Sequence, residues 1–137
     1  MHPMNRRDIL RVATAAGAAA LSPFARAQGA AGWPTRPVNM VVPFPAGGGT
    51  DAFARPLSVQ FAKQTGRQLV VENRGGASGT IGAGAVATSP PDGYTLLLAA
   101  LPEIAIAKVT FKDLAYDPDK ELAPISLVAR SPFVMVV

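Results

Sequence analysis

The sequence predicts an α/β chain built on a mostly parallel sheet, and three observations carry that reading. Candidate segments run strand, glycine-bearing loop, helix, and then repeat that order, the pattern of parallel strands joined by crossovers. The first candidate strand, Val38–Val42, is apolar on both sides of Asn39, as befits a strand covered on two faces. Cysteine is absent, and 49% of the 137 residues are hydrophobic against 16% charged, which excludes a disulfide scaffold and a charged disordered chain.

Residues 1–27 read as an export leader. Asn5-Arg6-Arg7-Asp8-Ile9-Leu10-Arg11 resembles the twin-arginine consensus, residues 12–21 form an alanine-rich apolar run, and Ala25-Arg26-Ala27 is a small-x-small cleavage site. The apolar run is about half the roughly 20 residues that span a bilayer. The mature chain is therefore expected to start near Gln28, in the periplasm, by the twin-arginine or the general secretion route. The leader also accounts for most of the charge: Arg6, Arg7, Arg11 and Arg26 against Asp8 carry +3 of the formal +4. Residues 28–137 hold 9 basic and 8 acidic side chains, too balanced for nucleic-acid binding, which rests on clustered cations.

Residues 28–37 form an extended lead-in punctuated by Pro34 and Pro37. Past the first strand, Pro43-Phe44-Pro45-Ala46-Gly47-Gly48-Gly49 is a loop. From Thr50 or Asp51 to about Thr65 the spacing turns helical, with Phe53, Leu57 and Phe61 at i, i+4 and i+8 and Gly66 as the stop. Pro56 sits too deep for the first turn, so a kink or an irregular opening turn is expected. Residues 68–72 are a second strand, Asn73-Arg74-Gly75-Gly76-Ala77-Ser78-Gly79 a second glycine-rich loop, and residues 80–88 a helix of small residues able to lie close on a sheet. Ser89-Pro90-Pro91-Asp92-Gly93 is a turn, and residues 94–99 are a third strand. Residues 101–108 fit a short helix, Tyr116-Asp117-Pro118-Asp119 a charged turn, and residues 122–129 and 133–137 apolar, β-branched runs. The last run would leave a hydrophobic edge unpaired, so the sequence is expected to be a fragment.

In a parallel sheet the loops after successive strands fall along one edge, where ligands bind. Glycine loops opening helices present free N–H groups and the positive end of the helix dipole to an anion. A single such loop is equally well a tight turn with Thr50 or Asp51 as a helix cap. Two of them, each after a strand and each with a hydroxyl nearby, point to a carboxylate-binding edge. Other chemistry is thin. The single His is His2, in the leader, and Cys is absent, which excludes Cys/His catalysis, Ser-His-Asp triads and His- or Cys-ligated zinc. Asp117, Asp119 and Glu121 read as a solvated turn rather than a metal site, and no cofactor is expected. Gly82-Ala83-Gly84-Ala85-Val86-Ala87 matches the Gly-x-Gly-x-x-Ala dinucleotide fingerprint and keeps a nucleotide-dependent α/β enzyme as the alternative. Its glycines, however, fall inside a helix rather than in the strand-to-helix turn where pyrophosphate sits.

Four motifs in order carry a family resemblance: Pro43-Phe44-Pro45-Ala46-Gly47-Gly48-Gly49-Thr50-Asp51, Val70-Val71-Glu72-Asn73-Arg74-Gly75-Gly76-Ala77-Ser78-Gly79-Thr80-Ile81-Gly82, Pro91-Asp92-Gly93-Tyr94-Thr95-Leu96-Leu97 and Tyr116-Asp117-Pro118. From the leader to Val137 the chain resembles the Bug family, the extracytoplasmic solute-binding receptors of tripartite tricarboxylate transporters. The resemblance implies a periplasmic-binding-protein-like (type II) α/β lobe over residues 28–137, truncated at the crossover to a second lobe that is missing or incomplete. It also implies a two-lobed clamp that is not an enzyme, takes a small carboxylated solute such as a di- or tricarboxylate, an acidic amino acid or nicotinate, and delivers it to membrane permease subunits. A periplasmic sensor holding the same ligand is a further alternative. By the same resemblance Phe44, Ala46, Gly47, Gly48, Gly49, Thr50 and Asp51 of the first loop, with Gly76, Ala77, Ser78, Gly79 and Thr80 of the second, supply the carboxylate contacts, partly through ordered water. Asp51 would repel a carboxylate, so it is expected to organise its loop or to meet a ligand amine or bridging water. After the third strand the family commonly has a small hydroxyl residue and then Asn-Pro. Here stand Ala99-Ala100-Leu101-Pro102-Glu103 and Ala107-Lys108, and Glu103 would disfavour a multiply charged acid.

Overall fold

The computed structural model describes residues 32–131 and Met135; the leader and, apart from Met135, the run at 133–137 lie outside the described residues. From Pro34 onward the chain forms a single unit around three parallel strands, β1 (Val38–Val42), β2 (Leu69–Asn73) and β3 (Thr95–Leu97), in the order β2-β1-β3. Val38 lies opposite Leu69 and Val42 opposite Asn73, while Asn39 faces Thr95 and Val41 faces Leu97. Helix α1 (Gly49–Thr65) connects β1 to β2, and α2 (Thr80–Ala87) connects β2 to β3. A π-type turn, Pro102–Ile106, then runs into α3 (Ala107–Thr110), and α4 (Pro118–Glu121) follows.

β1 is central because its side chains are apolar on both faces. Val38, Met40 and Val42 pack with Ala54 of α1, Leu69 and Leu98 as the buried core. Val41, which alternates to the other face, is also buried. Burying side chains of this kind contributes about 1.5–3 kcal/mol each. The polar interruption is accounted for by β2: Asn39 Nδ2 donates to Glu72 Oε2 at 2.7 Å.

α1 ends where expected. Gly66 takes φ 69°, a left-handed conformation open to glycine, and its N–H caps Ala62 O at 3.0 Å. The buried face differs from the expected stripe, since Ala54 is fully buried while Phe53 is 47% exposed; the small residue is what lets the helix approach β1. Nor does Pro56 break the helix, which spans all 17 residues. Pro56 and Ala52, whose carbonyl loses its helical donor, are both exposed residues, where an unpaired carbonyl is open to solvent.

At the N-terminal edge of the sheet, Arg36 Nη2 pairs with Asp92 Oδ2 at 2.9 Å and its guanidinium lies 4.0 Å from the Tyr94 ring centroid. Asp117 caps α4 by accepting the Asp119 N–H at 3.1 Å. The apolar, β-branched run at residues 122–129 forms no strand. That stretch has no regular structure, and Ile125 and Leu127 are 80% and 68% exposed. β-branched composition makes a strand only where a neighbouring strand supplies hydrogen-bond partners, and among the described residues none pairs with it.

Candidate functional site

Adjacent parallel strands β1 and β2 deliver two loops to one edge. The first loop opens α1 at Gly48, which is extended (φ −76°, ψ 175°) and makes no side-chain cap, so no side chain closes the first-turn amides of a 17-residue helix. Its shape is held from behind by Asp51. This residue is 1% exposed, and its side chain accepts from the Gly47 N–H at 2.9 Å, Arg55 Nε at 2.7 Å and Asn73 Nδ2 at 3.1 Å. The Gly47 N–H, then the Asn73 amide and Arg55, hold its carboxyl below the ordinary carboxylate range. Asn73 also donates to Phe44 O at 3.1 Å, so the last residue of β2 fastens the first loop at two points.

The second loop lies against the first. A methyl group added at Gly75 would touch Pro45 at 3.5 Å. Ala77 and Ser78 hold positive φ values of 46° and 54°, a costly conformation for residues with a Cβ and one that tends to occur at functional sites. The turn is closed by the Gly79 N–H on Gly76 O at 2.9 Å and by Thr80 Oγ1 on Ala77 O at 2.8 Å. Behind it stands Glu103, fully buried. Its Oε1 accepts the Ala100 N–H, its carbonyl accepts the Tyr116 hydroxyl, and burial pushes its carboxyl above the usual range.

α2 presses against both loops. A Cβ at Gly82 would come within 2.8 Å of Arg74 O and 2.9–3.0 Å of Pro43, so only glycine fits there. Gly82 and Gly84, the glycines of the dinucleotide-like string, are therefore helix residues facing Pro43 and Tyr116, and no phosphate-sized turn surrounds them.

Of the twelve residues expected at the site, Ala46, Gly47, Gly49, Gly76, Ala77 and Ser78 are exposed, Phe44, Gly48, Thr50 and Thr80 are half-buried, and Asp51 and Gly79 are buried behind the face. The cations nearby already have partners: Arg55 pairs with Asp51, and Arg74 with Glu72. An anion at this edge is thus met by backbone N–H groups and the α1 dipole. Sequence reasoning missed Asn73, Arg55 and Arg74 as the frame. Only Arg55 carried a signal, lying four residues from Asp51 as helical ion pairs do. No three His, Cys, Asp or Glu side chains cluster to hold a metal among the described residues. Two concavities lie elsewhere, one along α1 and β2 beside Ser58 and Val70, the other between α2 and Tyr116.

Residues 53–137 match the family model described as tripartite tricarboxylate transporter family receptor. Protein BugT of Bordetella pertussis is 42% identical over 105 residues, 76% of this chain and 32% of that protein. Among solved structures, MatC of Rhodopseudomonas palustris with bound malate is 43% identical with a TM-score of 0.66, over 70% of this chain and 33% of that one. Rpa4515 of R. palustris with adipate is 40% identical with a TM-score of 0.62, over 64% and 29%. The chain spans about a third of the length of the curated relatives it matches.

Proposed function

Because this chain belongs to the tripartite tricarboxylate transporter receptor family, we propose that residues 28–137 are the first lobe of a periplasmic receptor that captures a small dicarboxylate and passes it to a membrane permease. The observation that carries this reading is the pair of glycine loops at neighbouring strand ends, with the α1 amides uncapped. Ala46, Gly47, Gly48, Gly49 and Thr50 face one side of a bound carboxylate; Gly76, Ala77, Ser78 and Thr80 face another. Phe44 lines the approach, and Asp51 and Gly79 hold the two loops in shape. Each N–H to a carboxylate is worth about 1.5–3 kcal/mol. Asp51 does not oppose the ligand's charge, because three donors already answer its own.

The dicarboxylate class is supported by the malate and adipate held by the two R. palustris relatives. No helix among the described residues is long and apolar enough to cross a membrane. Calorimetry of the mature receptor, carrying any continuation its gene encodes, should show heat with malate or adipate and none with NAD. Binding of NAD without binding of either acid would refute the receptor reading and restore the nucleotide alternative.

A further inference from the structure

Glu103 is the one buried side chain among the described residues whose oxygen is left without a partner. Its Oε1 accepts the Ala100 N–H, but Oε2 is buried with no hydrogen-bond partner. That oxygen sits against the second loop, where a Cβ at Gly79 would come within 3.2 Å of it. The surrounding elements offer no compensating charge. The Ala77–Gly79 turn and α2 carry no titratable side chain. Lys108 of α3 pairs with Asp119 of α4, Lys120 pairs with Asp117, and Glu121 accepts the Asp117 N–H, all at the surface. Tyr116 reaches the Glu103 carbonyl rather than its carboxyl. A carboxylate in such a place would be a desolvated charge with a donor on Oε1 alone and no cation, so the neutral acid is the form that fits.

We propose that Glu103 is a positioning residue of the carboxylate site, acting as a neutral carboxyl wedged behind Gly79 so that its ionisation loosens the Gly76–Thr80 turn and weakens ligand capture. This rests on the receptor reading above. Ionisation acts twice in the same direction. It drives water toward the lone oxygen, at the cost of the Gly79-to-Gly76 hydrogen bond that closes the turn, and it sets a negative charge directly behind an anion site. Capture is then coupled to proton uptake at Glu103, and above the pKa of the free receptor each pH unit costs a factor of ten in affinity.

The test is calorimetry with adipate on the mature receptor and on Glu103→Gln, between about pH 6.5 and 9, where the ligand is fully ionised. Wild-type affinity is expected to fall with rising pH, by up to about tenfold per pH unit, while Glu103→Gln stays level. A level wild-type profile, or the same fall in both proteins, overturns the proposal and leaves the receptor reading standing; no binding of adipate or malate at any pH refutes the receptor reading itself. Amide exchange at Gly79 in the ligand-free wild type gives a readout that needs neither variant nor ligand. Protection that declines with pH beyond the chemical exchange rate supports the wedge, and constant protection overturns it.

Discussion

Replacing Gly82 with alanine should damage the site without changing a residue of either loop. The added methyl would lie 2.8 Å from Arg74 O and 2.9–3.0 Å from Pro43 Cβ and Cα, whereas carbon atoms settle at about 3.5–4.0 Å. Arg74 O and Pro43 Cα belong to the backbone, and the Pro43 ring is fixed to it, so no side chain can swing aside. Helix α2 must recede by roughly 0.6–1 Å. Overpacking of this kind costs about 1–3 kcal/mol, offset by about 0.8–1 kcal/mol because alanine prefers a helix more than glycine does. The same shift moves the second loop away from the first, enough to lengthen hydrogen bonds past their useful range. Losing one charge-assisted bond, at about 1.5–3 kcal/mol, means roughly a ten- to hundredfold loss of affinity. Gly84→Ala is the matched control, since its methyl would meet Tyr116 at an ordinary 3.5 Å; it gains the same helix preference and should bind as the wild type does. Urea denaturation and calorimetry with malate on the three proteins check both halves. Equal stability and equal affinity for the two variants would refute the close-approach reasoning.

Asp51 should set the acid limb of stability. Its folded pKa lies below the ordinary 3.8, so its contribution is fully present above that value and is lost as pH falls from there through the lowered folded value. Asp51→Asn should therefore melt at a lower temperature than the wild type at neutral pH, and the gap should close below about pH 4; a gap independent of pH would show that the carboxylate charge is not what the loop uses. The proposed leader makes a separate prediction: changing Arg6 and Arg7 to Lys should stop periplasmic appearance by the twin-arginine route. Fractionation showing normal export of that variant would rule out the twin-arginine route and leave general secretion open.

Much of the frame could be read from residue order because it is set by local chemistry. The apolar run at β1, the glycine stop at Gly66 and the small-residue helix after the second loop each require particular side chains at particular backbone conformations, and each appears where expected. β2 is displaced by one residue, to Leu69–Asn73, and β3 is shorter than expected, at Thr95–Leu97. What could not be read depends on tertiary neighbours. Phe53 outranks Ala54 in hydrophobicity, yet the closeness of α1 to β1 selects the smaller side chain for the core. The helix beginning at the Pro102–Ile106 turn lacked a clear apolar stripe, and its burial is concentrated at Glu103 and Ala107. The two glycine loops were legible as loops that follow neighbouring strands and open helices. The carboxyl behind one and the amide fastening the other were not, since no local pattern announces that Glu103 will be buried or that Asn73 will reach Phe44.

Apart from Pro45 and Arg74, the exposed rim of the two loops consists of glycines, two alanines and a serine. Such a rim has almost no vocabulary: an amide N–H can tell an acid group from an alcohol, but it cannot tell malate from adipate. Under the proposed function, the socket for the functional group is decoupled from whatever measures the carbon skeleton. A lineage of such receptors can change its diet by altering distant side chains while this plug stays the same, and an engineer seeking a new solute should leave residues 46–50 and 76–80 alone.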